Sequence, residues 1–235
     1  VDRVDYSNDT ATAAAKGPLD RSMYGAAAAG NADYGYYAGG NPTSSLMSRL
    51  DYSSDTSTAS PKGPIIQETY NFSATGTQSY GYFAGGLPSP YSTISRVDYS
   101  SDTPTAASKG PLSVGRSRHG STGNASYGYF GGGSAPSYTS KVDRLDYSND
   151  TSTATDKGPL SAARGYLAAT GNQSYGYWAG GAYISTVDRV DYSNDTGTAA
   201  VKGPLVLKNY ALGGCSPRAN ALPTTSGTQT RSATQ

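Results

Sequence analysis

Five times in 235 residues the chain writes Asp-Tyr followed by Ser, and five times it writes Lys-Gly-Pro. The first pair begins at Asp5, Asp51, Asp98, Asp146 and Asp191; the second motif begins at Lys16, Lys62, Lys109, Lys157 and Lys202. From each Asp to the Pro of the Lys-Gly-Pro that follows is 13 residues in every copy. From that Pro to the Tyr opening an aromatic stretch is 16 in all four cases, at Tyr34 (YGYYAGG), Tyr80 (YGYFAGG), Tyr127 (YGYFGGG) and Tyr175 (YGYWAGG). Only the distance from that Tyr to the next Asp-Tyr changes, running 17, 18, 19 and 16, so the period is 45–48. Paired strands must keep their length, because a slip of one residue turns every side chain to the other face; solvated loops need not. A fixed period of this size marks an array of stacked units. A catalytic centre is assembled once, whereas a feature written four or five times reads as a building part.

Each unit divides into four short strands. In the copy after Pro159, strand a is expected near Ala162 to Ala169 and strand b near Ser174 to Ala179, separated by Thr170-Gly171-Asn172. Gly180-Gly181 closes strand b. A loop of variable length leads to strand c near Val187 to Tyr192, Ser193-Asn194-Asp195 turns the chain, and strand d follows near Thr196 to Ala200 before Gly203-Pro204. Gly, Asn, Asp and Pro stand where tight turns need them. The 21 Tyr, with Thr and Val, suit a pleated, half-buried surface, while Glu occurs once, at Glu68. A helical solenoid is excluded by the missing 3.6-residue apolar period. A parallel β-helix fits less well, since its coils are shorter. Four antiparallel strands per unit of this length is the pattern of a β-propeller blade.

The aromatic stretch resembles the Tyr-x-x-Gly-Gly of kelch repeats. Tyr36, Tyr82, Tyr129 and Tyr177 match the kelch tyrosine, and Gly39-Gly40, Gly85-Gly86, Gly132-Gly133 and Gly180-Gly181 match its diglycine. An Arg-bearing strand precedes (Arg116, Arg164) and the Asp-Tyr strand follows, as in that family. The kelch Trp of strand d is absent; Thr10-Ala11-Thr12-Ala13 stands there instead. The resemblance spans about residues 1–210. It implies an all-β, kelch-like β-propeller of about five four-stranded blades, of the degenerate kind seen in phage structural proteins. Four blades would be complete by Pro204. Leu205 to about Leu212 reads as another strand a, so a composite fifth blade of N- and C-terminal strands would close the ring and leave no free edge. The propeller is expected over 1–214, with 215–235 a degenerate last strand or a tail. Both ends read as cut from a longer pattern.

Formal net charge is +1, so no electrostatic footprint points to nucleic acid or an anionic membrane, and no apolar run is long enough for a membrane span. Cys215 is the only cysteine, which excludes an intrachain disulfide. His119, in RSRHGS, reads as an exposed strand residue without catalytic or metal-binding partners. The Asp of each Asp-Tyr reads as a turn or strand-edge acceptor rather than a calcium ligand, since one carboxylate among hydroxyls is a poor cage. The turn Ser-Asn-Asp-Thr (Ser7, Asp9, Thr10; Ser193, Asp195, Thr196) is similar to the Asp-box of sialidase propellers, where it is a folding element. Sequons at Asn8, Asn71, Asn124, Asn149, Asn172 and Asn194 fall mostly in turns that want Asn for backbone reasons. No catalytic, metal or cofactor-binding residues are assigned, and no enzyme is expected.

The length changes single out the b–c loops, near Asn41 to Ser48, Leu87 to Ser95, Ser134 to Ser140 and Ala182 to Thr186. They mix tyrosine with small polar residues, the chemistry of adaptable recognition surfaces. In a propeller they share one face with the d–a connections. Tyr91, Tyr138 and Tyr183 are therefore the candidate partner-binding residues. The expected function is a structural and recognition propeller of a virion or extracellular, cell-surface appendage, fibre- or tail-like, among other structural subunits or copies of itself. The alternative is a carbohydrate-binding module reading surface glycans with the same face.

Overall fold

The computed structural model describes residues 1–8 and 10–214. Asp9, Cys215 and the expected last strand or tail lie outside them. A two-stranded hairpin opens the chain, β1 (Asp2–Arg3) with β2 (Ala14–Ala15). Four antiparallel sheets follow, each a four-stranded meander in chain order. The first is β3 (Ala27–Gly30), β4 (Tyr34–Ala38), β5 (Met47–Asp51) and β6 (Ser60–Lys62). The second is β7 (Ser73–Gly76), β8 (Tyr80–Ala84), β9 (Ile94–Asp98) and β10 (Ala107–Lys109). The third is β11 (Gly120–Gly123), β12 (Tyr127–Gly131), β13 (Val142–Asp146) and β14 (Thr155–Lys157). The fourth is β15 (Ala168–Gly171), β16 (Tyr175–Ala179), β17 (Val187–Asp191) and β18 (Ala200–Lys202). The only helical pieces among the described residues are two short 3-10 turns, Tyr52–Ser54 and Tyr147–Asn149. This is the all-β, propeller-like series of blades that the spacing implies.

Two strand positions differ from expectation. Strand a of the fourth blade starts at Ala168, because the residues from Leu160 onward approach along the neighbouring loop instead of joining the ladder. By the same register Leu205 to Leu212 is an approach segment, not a strand a. Strand d starts at Ala200 and takes in Lys202, because Thr196 to Ala199 turn against the preceding blade, where Ala199 N–H donates to Pro159 O (2.8 Å). Among the described residues the hairpin and residues 205–214 make no common sheet. The hairpin lies on the first blade and residues 205–214 on the fourth, where Asn209 bridges Ile184.

Hydrophobic clusters lie between blades, where the aromatic strand of one sheet meets the next. Tyr36, Tyr82 and Tyr129 are almost fully buried and stack on the Asp-Tyr tyrosines of the following blades, Tyr99, Tyr147 and Tyr192, at 4.6, 4.8 and 4.5 Å between centroids. Such pairs contribute about 0.5–1.5 kcal/mol beyond area burial. Trp178 lies over Gly131, whose missing Cβ leaves room for the indole, and its Nε1–H donates to Gly120 O (3.1 Å).

A carboxylate locks each of these joints. Asp102, in the c–d turn of the second blade, accepts from Tyr36 OH (2.9 Å) and Arg49 Nη1 (2.7 Å) and pairs with Lys62 Nζ (3.1 Å), all on the first blade. Asp150 does the same with Tyr82, Arg96 and Lys109, and Asp195 with Tyr129, Arg144 and Lys157. Burial by itself would push the Asp150 carboxyl up; Lys109, Tyr82 and Arg96 outweigh it and hold the pKa below the usual value. Among the described residues, Asp55 pairs with Arg3 (2.7 Å) and Lys16 (3.2 Å) and accepts from no buried tyrosine, since the opening hairpin has no strand b to supply one. The Asp of each Asp-Tyr has the local role expected of it. Asp51 and Asp146, for example, accept from the N–H and hydroxyl of Ser53 and Ser148, which lowers their pKa.

Candidate recognition face

The segment leading into each strand a turns sharply at one repeated position. Gly25, Asn71, Arg118, Tyr166 and Ala211 all have φ between 53° and 66°. Glycine and asparagine adopt that region readily; for arginine, tyrosine and alanine it costs on the order of 1 kcal/mol or more and must be imposed by surrounding contacts. Those contacts are a run of backbone hydrogen bonds from blade to blade. Asn71 N–H donates to Gly25 O (2.7 Å), Arg118 to Asn71 (2.7 Å), Tyr166 to Arg118 (2.8 Å) and Ala211 to Tyr166 (3.1 Å). The run brings all five positions around one cavity of about 570 Å³, lined by Tyr24, Asn71, Arg118, His119, Tyr166 and Ala211 among others. The backbone repeats and the side chains do not. The scaffold thus presents five unlike groups around one cavity.

Buried ion pairs brace the lip of this cavity in two blades. Arg116 Nη2 meets Asp143 at 2.7 Å and Arg164 Nη1 meets Asp188 at 2.8 Å, with all four side chains fully buried. Arg116 also donates to Phe130 O, and Arg164 to Trp178 O and Gly180 O. Each guanidinium therefore ties the segment before strand a to strands b and c of its own sheet. A buried pair is weak evidence of net stability, but breaking it strands a charge, so it fixes geometry.

The b–c loops stand beside these segments. Asn41, Leu87 and Ser134 bridge to Tyr24, Tyr70 and Ser117, so the loops and the d–a connections do share a face. On that face an arginine and three rings form a continuous stack. Arg118 lies over Tyr166 (4.8 Å), Tyr166 against Tyr210 (4.2 Å) and Tyr210 against Tyr183 (4.8 Å, 16° between planes). Tyr138 reaches the same group, its ring edge 3.0 Å from the Cβ position of Gly165. Partial desolvation first, then the hydroxyls of Tyr166 and Tyr138, raise the pKa of Tyr210. Tyr183, Tyr138 and Tyr210 are exposed, and Tyr24 stands exposed at the cavity's edge. No carboxylate lines the cavity or pairs with Arg118 among the described residues.

Of the three tyrosines expected on this face, two come together and one stands apart. Tyr138 and Tyr183 join the cluster through Tyr166 and Tyr210, which the loop-length argument did not single out. Their signal is in the sequence at two adjacent offsets after each Lys-Gly-Pro, Tyr210 at the position of Tyr24 and Tyr70, and Tyr166 at the position of Gly25, Asn71, Arg118 and Ala211. Tyr91 is half-buried, and its backbone pins the loop, its N–H donating to Gly86 O and its carbonyl accepting from Arg116 N–H. His119 corrects an expectation. Expected as exposed, it is only 4% accessible and stands edge-on to Phe130, between the backbones of Gly85 and Gly133. Burial, then the charge of Arg116, lowers its pKa to about 3. Among the described residues, no three His, Cys, Asp or Glu side chains gather in a way that could hold a metal ion. No protein-family profile matches the chain, and no curated protein is significantly similar to it.

Proposed function

We propose that this chain is a non-enzymatic recognition propeller, serving as a structural component of a virion or cell-surface appendage and meeting its partner with the loop face. The observation that carries this reading is the stack Arg118–Tyr166–Tyr210–Tyr183, with Tyr138 beside it, running outward from the cavity that Arg118 and Tyr166 line. Exposed tyrosines supply large, stiff contact area at low entropic cost, and clustered aromatics with an arginine are what hot spots are made of. Tyr36, Tyr82 and Tyr129, with Arg49, Arg96 and Arg144, are consumed in joints between blades, whereas Tyr138, Tyr183 and Tyr210 are exposed. The relation to kelch-like arrays of phage structural proteins belongs to this proposal.

The reading is tested by replacing Tyr138 and Tyr183 with serine together, and Tyr91 with serine separately. The double variant should unfold at nearly the wild-type temperature while attachment to host cells or to the parent particle weakens at least about tenfold, the loss of one modest hot spot. The Tyr91 variant should lose more stability than attachment. Attachment unchanged in the double variant would place contact on another face.

A second reading, carbohydrate binding at the same face, draws on the polar groups beside the rings. Asn71 and Arg118 line the cavity with Tyr24 and Tyr166, an arrangement that could stack a sugar ring and hydrogen-bond its hydroxyls. Glycan-array binding abolished by the double variant would favour this reading; retention of many copies in a purified particle, without glycan binding, would favour the first.

A further inference from the structure

Arg118 is held without a counter-ion, in a backbone conformation that arginine rarely adopts. Arg49, Arg96 and Arg144 pair with aspartates across the joints between blades, and Arg116 and Arg164 pair with aspartates of their own sheets. Arg118 reaches no carboxylate among the described residues, and its buried Nε has no hydrogen-bond acceptor there. Its φ of 59° falls in the region taken by Gly25 (66°) in the first blade and Asn71 (53°) in the second, residues that enter it readily. Strain kept at a residue whose counterparts in two blades avoid it points to function at that residue.

The side chain is held in place by Tyr166, whose ring centre lies 4.8 Å from the guanidinium carbon. Stacking of this kind uses the flat face of the guanidinium and leaves its in-plane N–H groups free to donate. The cavity that it lines, at about 570 Å³, has the size of small-ligand sites, roughly 300–1,000 Å³. Arg118 brings the only charge to the described lining, because His119 stays neutral above about pH 3. Asn71 adds a neutral amide, and Tyr24 and Tyr166 add aromatic surface.

We propose that this cavity binds an acidic sugar, a ring carrying one carboxylate, with the carboxylate on Arg118. The inference rests on the reading of the loop face as the recognition face and names what that face recognises. A guanidinium and a carboxylate match as a bidentate pair. One cation suits one negative charge. A phosphate ester, with about −1.5 to −2 at neutral pH, would ask for a second cation that the described lining lacks. The sugar's hydroxyls meet the Asn71 amide, which both donates and accepts, and its apolar ring face meets tyrosine. A polyanionic peptide or a nucleic acid fits less well, since the net charge of the chain is +1 and Arg118 is the single cation of the described lining.

Isothermal titration calorimetry at neutral pH tests this with glucuronate and N-acetylneuraminate, each against its own methyl ester, which keeps the ring and removes the charge. At least one acid should bind the full chain at least about tenfold more tightly than its ester, as a charge-assisted pair would give. That comparison needs no variant. Arg118→Asn then places at this position the residue that the second blade carries there, so the fold should tolerate it and the thermal midpoint should not fall. In that variant the preference should vanish, the acid dropping to the affinity of the ester. No binding of either acid, equal affinity for acid and ester, or a preference that survives Arg118→Asn would each overturn the proposal. Inorganic phosphate displacing the acid at equal concentration would overturn it too, by making the site a bare anion hole. Failure here is separable from failure of the wider reading. Attachment that survives Arg118→Asn but weakens when Tyr138 and Tyr183 become serine would overturn the acidic sugar and leave the recognition face standing.

Discussion

Tyr82 serves two contacts with one side chain, its ring stacked on Tyr147 and its hydroxyl donating to Asp150. Replacing it with phenylalanine keeps the first and deletes the second. Because the bond is buried and its acceptor charged, Tyr82→Phe should cost about 1.5–3 kcal/mol in urea unfolding. His119 makes a pH-dependent case. The unfolded chain binds a proton near pH 6.5, while the folded chain resists it until about pH 3. The stability that goes with the neutral ring is fully present above pH 6.5 and is lost progressively as pH falls toward 3. Between about pH 7 and pH 5, a window above the titration of the carboxylates, wild type should lose up to about 2 kcal/mol more than His119→Leu. Equal losses would mean that the folded protein accommodates the imidazolium.

At the scale of elements, Lys-Gly-Pro is at once strand end, cation and clamp. Its glycine is fixed by proximity: a Cβ on Gly110 would sit 1.9 Å from Ser152 O. Gly110→Ala should therefore destabilise by about 3 kcal/mol, through displacement of a whole turn rather than loss of a contact. Calorimetry would check this, and a neutral result would mean that the joint yields easily. The triplet also shows what could and could not be read from sequence. Its recurrence and spacing gave the blade length and the four-strand meander, since turn residues mark where ladders stop. The role of its lysine is not legible, because its partner, the aspartate of the next turn, lies most of a period away and nothing local marks the pairing. The arginine of strand c, present at Arg3, Arg49, Arg96, Arg144 and Arg189, was missed for the same reason. The face shared by Tyr138 and Tyr183 was legible because loop length varies there alone. The burial of His119 was not, because it depends on how closely two glycine backbones approach.

Over the whole molecule, stability should be graded along the chain. Inner blades are clamped on both sides, while β1 and β2 have one neighbour and exposed surfaces. Arrays of this kind open from their ends. Amide hydrogen exchange should be slowest in β8 and β12 and fastest in β1 and β2. Uniform protection would indicate one cooperative unit. The aspartate joint has a further consequence, for the gene rather than the molecule. Every inner blade offers the same key on one side and the same lock on the other, so no joint carries an address. Unequal crossing-over between two copies of the repeat could insert or delete a whole blade and still leave every seam matched. Blade number would then be limited by how many wedges fit around the axis, while the loops on the outward face diverged one blade at a time.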